Sequence, residues 1–286
     1  MCPNSEIKSL VYVVDGYSLC RIITTLLLAM SSYLGYAQDS KFTLISWNIR
    51  DFGNSKDSVE IEHIAEVLRN ADVVSIQEVV AGSGGSKAVA RLADDLNRKG
   101  AKWEYQISNP TGSPKGAKER YALLWKTSRF KKRGKGRLLK ELDAQIFREP
   151  FLMTLYTNNR KISILSFHAR PKKEAAPEIE VLSEYLKNQK DLIVVGDFNL
   201  NYSSNSFQAF RKRCFNAVID DQKTTIKKSC KNGNYLLNSF DNIIYPWDMN
   251  VYKCGTIDYI ESCDNVKTAN KLSDHLPVMM QFSIPN

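Results

Sequence analysis

Short apolar runs that end at a carboxylate, an amide or a histidine constrain most strongly how this chain can fold. The clearest run is Leu192–Val195, which stops at Gly196 and is followed by Asp197 and Asn199. A carboxylate at the end of a buried strand is costly unless a cation or hydrogen bonds compensate for it. A single example is an ordinary turn, in which Gly, Asp and Asn are common residues. Repetition of the pattern along the chain predicts instead that several polar strand ends share one pocket.

The same pattern recurs beside other β-branched or aromatic runs. The polar residues at their ends are Asn48, Glu78, Glu119, His168, Asp241, Asp274 and His275. Collected at one edge of a sheet, they would form a pocket of carboxylates, amides and two histidines. Magnesium and calcium favour such oxygen-rich sites, whereas zinc sites more often use thiolates or three clustered histidines.

Amphipathic helices are predicted between these runs. Asp57 or Ser58 caps a predicted helix that continues to about Asn70. A second helix is predicted over Lys87–Lys99, and Pro177 is predicted to open a third. Strands that alternate with helices are typical of an α/β fold.

Some strand runs follow one another directly, as Phe151–Thr157 is followed by Lys161–Phe167. Together with the strands between helices, such pairs favour mixed sheets with outer helices. Gly82–Ser86 and Thr111–Gly116 are predicted to be mobile loops near the pocket.

The N-terminal segment has the pattern of a signal peptide. Arg21 precedes the apolar run Ile22–Leu34, and small residues end at Ala37, where cleavage is predicted. Residues 1–37 are then the signal peptide and residues 38–286 a single catalytic domain that is exported to the periplasm or the extracellular space. Because Glu6 and Asp15 are unusual in such a leader, an uncleaved anchor and a downstream start are the alternatives.

The formal net charge is +9, which favours polyanionic partners without identifying them. The predicted domain retains Cys214, Cys230, Cys254 and Cys263, an even number in a chain expected to be exported. Two disulfides are predicted; Cys214–Cys230 with Cys254–Cys263 closes the shortest loops, although three pairings are possible.

Taken in order, these segments resemble the motifs of the endonuclease/exonuclease/phosphatase superfamily, and most of all those of secreted deoxyribonuclease I. The resembling segments are Ser46–Gly53, Ile76–Val79, Lys118–Tyr121, Phe147–Pro150, Phe167–Ala169, Gly196–Asn199, Phe240–Ile244 and Ser273–His275. The resemblance covers essentially all of residues 38–286. It implies a four-layer α/β sandwich, with two central mixed β-sheets packed face to face and helices outside.

The resemblance also implies an activity, the hydrolysis of phosphodiester bonds in DNA by a divalent-metal-dependent endonuclease. The implied catalytic residues are Glu119, His168, Asp197, Asn199, Asp241 and His275. The implied metal ligands are Asn48, Glu78 and Asp274, with Mg²⁺ the expected ion and Ca²⁺ or Mn²⁺ as alternatives. Arg148 and Arg120 are expected to contact the substrate.

The basic segment Lys126–Lys140 adds Lys131, Lys132 and Arg133 as candidate contacts to phosphates outside the cleaved bond. A solvated hairpin loop is the equal alternative for this segment.

Phosphodiester hydrolysis needs a positioned water, neutralisation of charge at phosphorus and a proton for the leaving oxygen. Histidines can move protons near neutral pH when a carboxylate orients and supports each of them. Glu119 is the candidate supporter of His168. Both Asp241 and Asp258 are candidates for His275, because the Ile-Asp-Tyr-Ile context of Asp258 resembles the exonuclease III branch. The deoxyribonuclease-like context favours Asp241.

Two departures from the deoxyribonuclease pattern bear on the grip on DNA. Ala117 stands where a groove-stacking tyrosine is expected, and Phe240 replaces a tyrosine whose hydroxyl can reach phosphate.

The expected partner is nucleic acid, bound by a monomer without membrane insertion. The alternatives are a secreted phosphodiesterase acting on sphingomyelin, a phosphatase acting on inositol phosphates, and a non-catalytic binding protein on the same fold.

Overall fold

A computed structural model describes residues 41–113, 118–157, 160–189 and 192–284, with only the backbone described at residues 172 and 188. Its strands are β1 Phe42–Phe52, β2 Val73–Val80, β3 Trp103–Ile107, β4 Glu119–Lys126, β5 Lys131–Lys132, β6 Arg137–Leu138, β7 Phe151–Thr157, β8 Arg160–His168, β9 Leu192–Asp197, β10 Phe215–Ala217, β11 Ile226–Lys231, β12 Asn234–Leu236, β13 Asp241–Pro246, β14 Asn250–Thr256 and β15 Val278–Ser283. Its α-helices are α1 Ser58–Leu68, α2 Ser83–Arg98, α3 Ala175–Tyr185, α4 Gln208–Lys212 and α5 Val266–Leu272. Short 3₁₀ segments occur at Lys140–Leu142, Lys172–Glu174, Leu186–Asn188, Asn205–Phe207 and Cys263–Asn265.

Two mixed sheets contain most of the strands. The 6-stranded sheet has the order β14-β15-β1-β2-β4-β3, and the 7-stranded sheet has the order β10-β13-β9-β8-β7-β5 with β6 also paired to β7. β1 and β2 are parallel, as are β8 and β9, whereas the other neighbouring pairs are antiparallel. The two remaining strands, β11 and β12, form a separate hairpin.

Alternation of side chains along the strands places apolar residues on both faces of each sheet. Leu44 of β1 belongs to the core between the sheets, and the next residue, Ile45, packs with α1 and α2. Ile164 of β8 likewise faces the other sheet, and Leu165 packs with α3 and α4. Strands buried on both faces read as nearly continuous apolar runs. The expected four-layer α/β sandwich, with two mixed sheets face to face and helices outside, is confirmed.

Helix α1 begins where the sequence predicts. Asp57 caps it by accepting from the backbone N–H of Glu60 (2.9 Å), and the Glu60 carboxylate accepts from the backbone N–H of Asp57 (3.0 Å). This reciprocal pair satisfies two backbone donors at the helix start.

The prediction that Gly82–Ser86 forms a mobile loop is wrong. Helix α2 begins at Ser83, so these glycines form its first turn, and Gly85 is buried. A Cβ on Gly85 would overlap the carbonyl oxygen of Val80, so the helix can approach β2 only with glycine at this position.

The loop predicted over Thr111–Gly116 is fixed in the part that the structure describes. Thr111 and Ser113 are buried, and Ser113 donates its hydroxyl to the carbonyl of Phe147 (2.8 Å). The backbone N–H of Gly112 donates to the buried carboxylate of Glu149 (2.6 Å). Residues 114–116 lie outside the described residues, as does Ala117.

One disulfide joins Cys230 to Cys263, whose Cα atoms are 5.4 Å apart, while Cys214 and Cys254 are free and exposed. The predicted shortest-loop pairing is therefore wrong. Cys230 packs with a small apolar cluster that includes residues of α5, and Cys263 lies just before that helix. Tertiary packing, not loop length, brings these two thiols together.

Within the described part of the chain, no helix is both long enough and apolar enough to cross a bilayer. The predicted signal peptide and its cleavage site lie outside the described residues.

Candidate active site

The polar strand ends meet at one edge of the sandwich. In the 7-stranded sheet, His168 is paired with Asp197 and Asp197 with Asp241, so the ends of β8, β9 and β13 stand side by side. In the 6-stranded sheet, Asn48 is paired with Gln77 and lies next to Glu78. The structure thus brings residues from distant segments into one pocket.

Gly196 allows β9 to carry Asp197 into this edge. Its backbone has φ +140°, and a Cβ there would overlap the carbonyl oxygen of Phe167 on the neighbouring strand. Only glycine avoids both the left-handed strain and this clash. Packing therefore requires the glycine before Asp197, whatever the role of the carboxylate.

His168 is buried at the end of β8, and Glu119 supports it. Its Nδ1 lies 2.9 Å and 3.1 Å from the two carboxylate oxygens of Glu119, so the ring turns Nε2 towards the pocket. Nε2 lies 3.6 Å from Asp197 Oδ2 and 4.0 Å from Glu78 Oε1. Arg148 adds a cation beside Glu119, with its Nε 3.1 Å from Glu119 Oε2. This contact is an ion pair and not a hydrogen bond, because the Nε–H group has no hydrogen-bond partner.

His275 is supported by Asp241 and not by Asp258. The distance between His275 Nδ1 and Asp241 Oδ2 is 2.7 Å, and Thr224 Oγ1 donates to the same oxygen at 2.7 Å. Asp258 instead accepts from the hydroxyl of Tyr235 and from the backbone N–H of Ile260. The choice that the sequence leaves open is therefore decided in favour of Asp241.

Asp197 lies between the two imidazoles. His275 Nε2 is 3.7 Å from Asp197 Oδ2, the oxygen that His168 also faces, and Asn48 Nδ2 donates to it at 3.1 Å. The other oxygen, Oδ1, accepts from the backbone N–H of Asn199 at 2.8 Å. Asn199 has φ +48° and donates its side-chain amide to the carbonyl of Ala169 (2.9 Å). Two carboxylate-backed rings thus converge on one buried carboxylate.

The electrostatics of the pocket favour protonated histidines. Burial by itself would lower the pKa of His168, but the Glu119 and Asp197 carboxylates outweigh it and raise that pKa. Burial likewise opposes protonation of His275, yet Asp241 and Asp197 raise its pKa to about 10. Burial also raises the pKa of Asp241, against the opposing effect of His275. The Asp241–His275 pair therefore retains a proton over a wide pH range.

Asn48 and Glu78 offer the donor set that a hard divalent cation prefers. Asn48 Oδ1 is buried without a hydrogen-bond partner, while Nδ2 of the same amide holds Glu78 Oε1 at 3.1 Å. A buried orphaned acceptor is unusual and calls for a ligand. Glu78 has φ +59° at an irregularity in the pairing of β2 with β4, so local backbone strain accompanies this carboxylate. Asn48, Glu78 and the adjacent Asp197 fit a magnesium-type ion.

A second arrangement of potential ligands is also present. Asp197, Asp241 and His275 form a group whose ligand atoms lie within 4.8 Å of one another. We favour the oxygen-rich set, because Asp241 and His275 already bond to each other and a hard cation prefers oxygen to imidazole nitrogen.

Asp274, the third expected metal ligand, lies beside Arg50. Arg50 Nη1 is 3.2 Å from Asp274 Oδ2, and Arg50 Nη2 donates to the carbonyl of Asn270 (2.9 Å). A metal role for Asp274 stays a prediction, and its partner in the structure is a guanidinium.

The substrate contacts predicted for the two arginines have different surroundings. Arg148 lies beside the His168–Glu119 pair and is close to the pocket. Arg120 donates Nε to the carbonyl of Ala81 and Nη1 to the carbonyl of Ser108, both at 2.8 Å. These bonds brace the chain around β4, so they favour a structural role for Arg120 over a phosphate contact.

Lys131 and Lys132 of β5 are exposed, and Arg133 follows them. Lys131 is paired with Tyr156, and Tyr156 with Lys161, which precedes His168 by seven positions on β8. At about 3.3 Å per strand residue, this places the basic strand roughly 20 Å from the pocket edge. Contacts from here would reach only distant phosphates of a long substrate.

Two positioning residues were missed in the sequence. Thr224 donates to Asp241, and its hydroxyl also accepts from the backbone N–H of that residue (3.0 Å). Ser273 donates its hydroxyl to the carbonyl of Asn48 (2.6 Å) and accepts from the backbone N–H of His275 (3.1 Å). Ser273 was visible within the Ser-Asp-His motif, whereas no local pattern singles out Thr224.

A family model described as "Endonuclease/Exonuclease/phosphatase family" matches residues 45–275. That interval includes the pocket residues from Asn48 to His275. No curated protein sequence matches this chain.

Solved structures share the fold at low identity. An endonuclease/exonuclease/phosphatase family protein from Leptotrichia buccalis C-1013-b has TM-score 0.62 and 14% identity, covering 85% of this chain and 100% of its own. TDP2 from D. rerio, solved in complex with a single-strand DNA product, has TM-score 0.62 and 17% identity, with 86% and 100% covered. The human Nocturnin catalytic domain, solved with a bound sulfate anion, has TM-score 0.58 and 17% identity, with 86% and 94% covered.

Proposed function

This chain belongs to the endonuclease/exonuclease/phosphatase family, and we propose that it is a divalent-metal-dependent nuclease that hydrolyses phosphodiester bonds of DNA. Hydrolysis of phosphate esters with divalent metals is the chemistry of the family. The observation that carries the proposal is the pair of carboxylate-backed histidines whose Nε2 atoms both face Asp197 Oδ2, at 3.6 Å and 3.7 Å. A fold kept only for binding has no need of two such pairs.

The proposed reaction uses these groups in distinct roles. The oxygen of a water forms a bond to phosphorus, and the bond from phosphorus to the ester oxygen breaks. Asp197, fixed by Asn199 and Asn48, orients that water and accepts its proton, and one of the imidazolium rings gives a proton to the leaving oxygen. A divalent ion held by Asn48 and Glu78 supplies charge neutralisation at the phosphate when it is bound.

The carboxylates behind the rings and Arg148 have supporting roles in this reaction. Glu119 and Asp241 fix the ring orientations and stabilise positive charge on His168 and His275. Arg148 is the candidate donor to a phosphate oxygen, because a guanidinium–phosphate hydrogen bond is charge-assisted.

DNA as the substrate is supported by the positive net charge of +9 and by the similar fold of TDP2, which was solved with single-strand DNA product. We propose that the protein acts as an exported monomer. The Cys230–Cys263 disulfide supports export, because disulfides persist mainly in oxidising compartments.

The test is cleavage of supercoiled plasmid by purified protein with Mg²⁺, Mn²⁺ or Ca²⁺ and with excess chelator. His168→Ala and His275→Ala should each lose several orders of magnitude in rate while remaining folded. Full cleavage in chelator, or near-normal turnover of either variant, would refute the mechanism.

The same assay decides the substrate class when it is repeated with single-stranded DNA, RNA, sphingomyelin and inositol phosphates. Turnover of sphingomyelin or of an inositol phosphate, with no cleavage of any nucleic acid, would assign the protein to another activity of the family.

A further inference from the structure

The β11–β12 hairpin, Ile226–Leu236, is joined directly to the residues that hold the second histidine. Thr225 forms a β-bridge with His275, and the backbone N–H of Ile226 donates to the carbonyl of Asp274 (2.7 Å). We propose that this lysine hairpin is a phosphate-binding subsite, which holds the nucleic-acid backbone beside the bond that is cleaved. The inference rests on the proposed function, whose substrate contacts it extends.

The lysine hairpin is held rigidly against α5. The Cys230–Cys263 disulfide links β11 to the segment before that helix across 33 residues. Ile226 packs in an apolar cluster with Val266 and Ala269 of the helix. Asn270 Nδ2 donates to the carbonyl of Lys227 (3.0 Å), which adds a polar tie. A subsite needs such support, because charges on a mobile loop lose binding free energy when they are ordered.

The charge of the lysine hairpin is of one sign. Residues 226–236 contain three lysines, Lys227, Lys228 and Lys231, and no acidic residue. Lys228 and Lys231 are exposed, and within the part of the chain that the structure describes no carboxylate forms an ion pair with either. The nearby carboxylate of Asp258 accepts from Tyr235 and from the backbone N–H of Ile260. An unpaired set of ammonium groups is suited to a polyanion.

The spacing agrees with the backbone of a nucleic acid. Lys228 lies three positions after Thr225, which is about 10 Å along an extended strand, and Lys231 lies six positions after it, at most about 20 Å. Phosphates on one strand of B-DNA rise by about 3.4 Å per nucleotide, so these distances correspond to roughly three to six nucleotides. The lysines would therefore meet phosphates on one side of the cleaved bond.

A solvated basic surface without a ligand is the simpler explanation for exposed lysines. It accounts for the charge, but not for the attachment of the hairpin to both Asp241 and His275. Thr224 donates to Asp241 and Thr225 pairs with His275, so the strand that bears the lysines starts at the pocket.

The test measures binding without cleavage. A fluorescein-labelled 20-bp duplex is titrated with the protein in excess chelator, by anisotropy, at several salt concentrations between 50 mM and 300 mM. The Lys228→Gln/Lys231→Gln variant should lower the slope of log K against log salt by up to about 0.9 per lost phosphate contact. Two lost contacts would make the fall in affinity between 50 mM and 200 mM salt roughly tenfold smaller than for the unchanged protein.

The matched control removes the same charge away from both the pocket edge and the basic segment Lys126–Lys140. Lys212 is exposed at the end of α4, and Lys253 is exposed on β14, where it pairs with Gln281, six positions after His275. Lys212→Gln/Lys253→Gln should leave the salt slope unchanged. Equal slopes for the two double variants would mean that only net charge matters, and this would overturn the subsite. Thermal unfolding of both variants checks that the fold is intact.

The binding assay does not depend on hydrolysis. If the protein binds duplex and the hairpin variant loses slope but no substrate is cleaved, the proposed function fails while the subsite stands. If the protein cleaves a phosphodiester but the unchanged chain shows no duplex binding, the subsite fails and the hydrolase stands.

Discussion

Asparagine in place of Asp241 tests the second histidine pair most directly. Asp241 Oδ2 receives His275 Nδ1 and Thr224 Oγ1, both at 2.7 Å, while Oδ1 is buried without a partner. An asparagine that keeps its oxygen at the Oδ2 position puts its NH₂ in the buried, partnerless position. The flipped rotamer points NH₂ at two donors. Either choice leaves polar groups unsatisfied, which should cost about 1–3 kcal/mol of the unfolding free energy.

The effect on rate should exceed the effect on stability. Burial lowers the pKa of His275, and the Asp241 charge opposes that effect. Without this charge, the pKa of His275 should fall from about 10 towards or below its usual value. With an ordinary pKa of about 6.5, only roughly a tenth of the ring is protonated at pH 7.5. A carboxylate-to-amide change in a serine hydrolase triad lowers turnover about 10⁴-fold, and we expect about 10³- to 10⁴-fold here.

The assay follows plasmid nicking at saturating metal between pH 6 and 9, together with an NMR titration of His275 in the metal-free protein. In Asp241→Asn the activity that depends on the imidazolium should decline at lower pH than in the unchanged protein. Asp258→Asn is the matched control, because that carboxylate contacts Tyr235 and not a histidine. A large rate loss confined to Asp258→Asn would refute the reasoning, as would an unshifted pKa of His275 in Asp241→Asn.

The disulfide, the basic strand β5 and the two site histidines can each be tested by substitution. Replacing Cys230 and Cys263 with serine should lower the unfolding free energy measured in urea by about 3–4 kcal/mol, because the disulfide closes a long loop. A loss below about 1 kcal/mol, or the same loss when the exposed Cys214 and Cys254 are replaced, would contradict this. Neutralising Lys131, Lys132 and Arg133 together should weaken binding of a 20-bp duplex and leave binding of a trinucleotide unaffected. The reason is that about 20 Å, the distance from β5 to the pocket edge, spans roughly six base pairs. Equal effects on both lengths, or none on either, would show that this segment does not contact the substrate. Both site histidines have raised pKa values, so their stabilisation of the metal-free protein is complete below about pH 6.5 and is lost as pH rises towards about 10. The unfolding free energy measured in urea should therefore decline across this range, and the decline should be smaller in a His275→Gln variant.

Mixed sheets with outer helices were predictable because their signals are local, whereas the four-layer order was implied by the family resemblance. The nearly continuous apolar runs of β1 and β8 are visible from adjacent positions, and each face of such a strand needs an apolar layer. The cap at Asp57 is equally local, since its partner Glu60 is three residues away. The start of α2 was not predictable in this way. Glycines at the start of a helix have the same local sequence pattern as a loop. Their role becomes clear only from the close approach of Gly85 to the backbone of Val80.

The residues of the site were predictable, and the resemblance also assigned Glu119 to His168 and favoured Asp241 over Asp258 for His275. Local sequence alone does not separate Asp241 from Asp258, because both have strand-like contexts. Their difference lies in the sheet register, which pairs Asp241 with Asp197 across β9 and β13. Arg50 beside Asp274 is another contact that no motif contains.

Local sequence was enough to predict which strands are buried, where they end in polar groups, and the order in which those groups follow one another. These properties depend on neighbours a few residues apart, whose preferences a short window expresses. Folding of the whole chain brings Cys230 to Cys263, Asp241 to His275, and the lysine hairpin to a position beside that histidine. Each of these contacts joins segments far apart in the chain, and it forms because packing of the whole sandwich, not any local preference, fixes the distance between them.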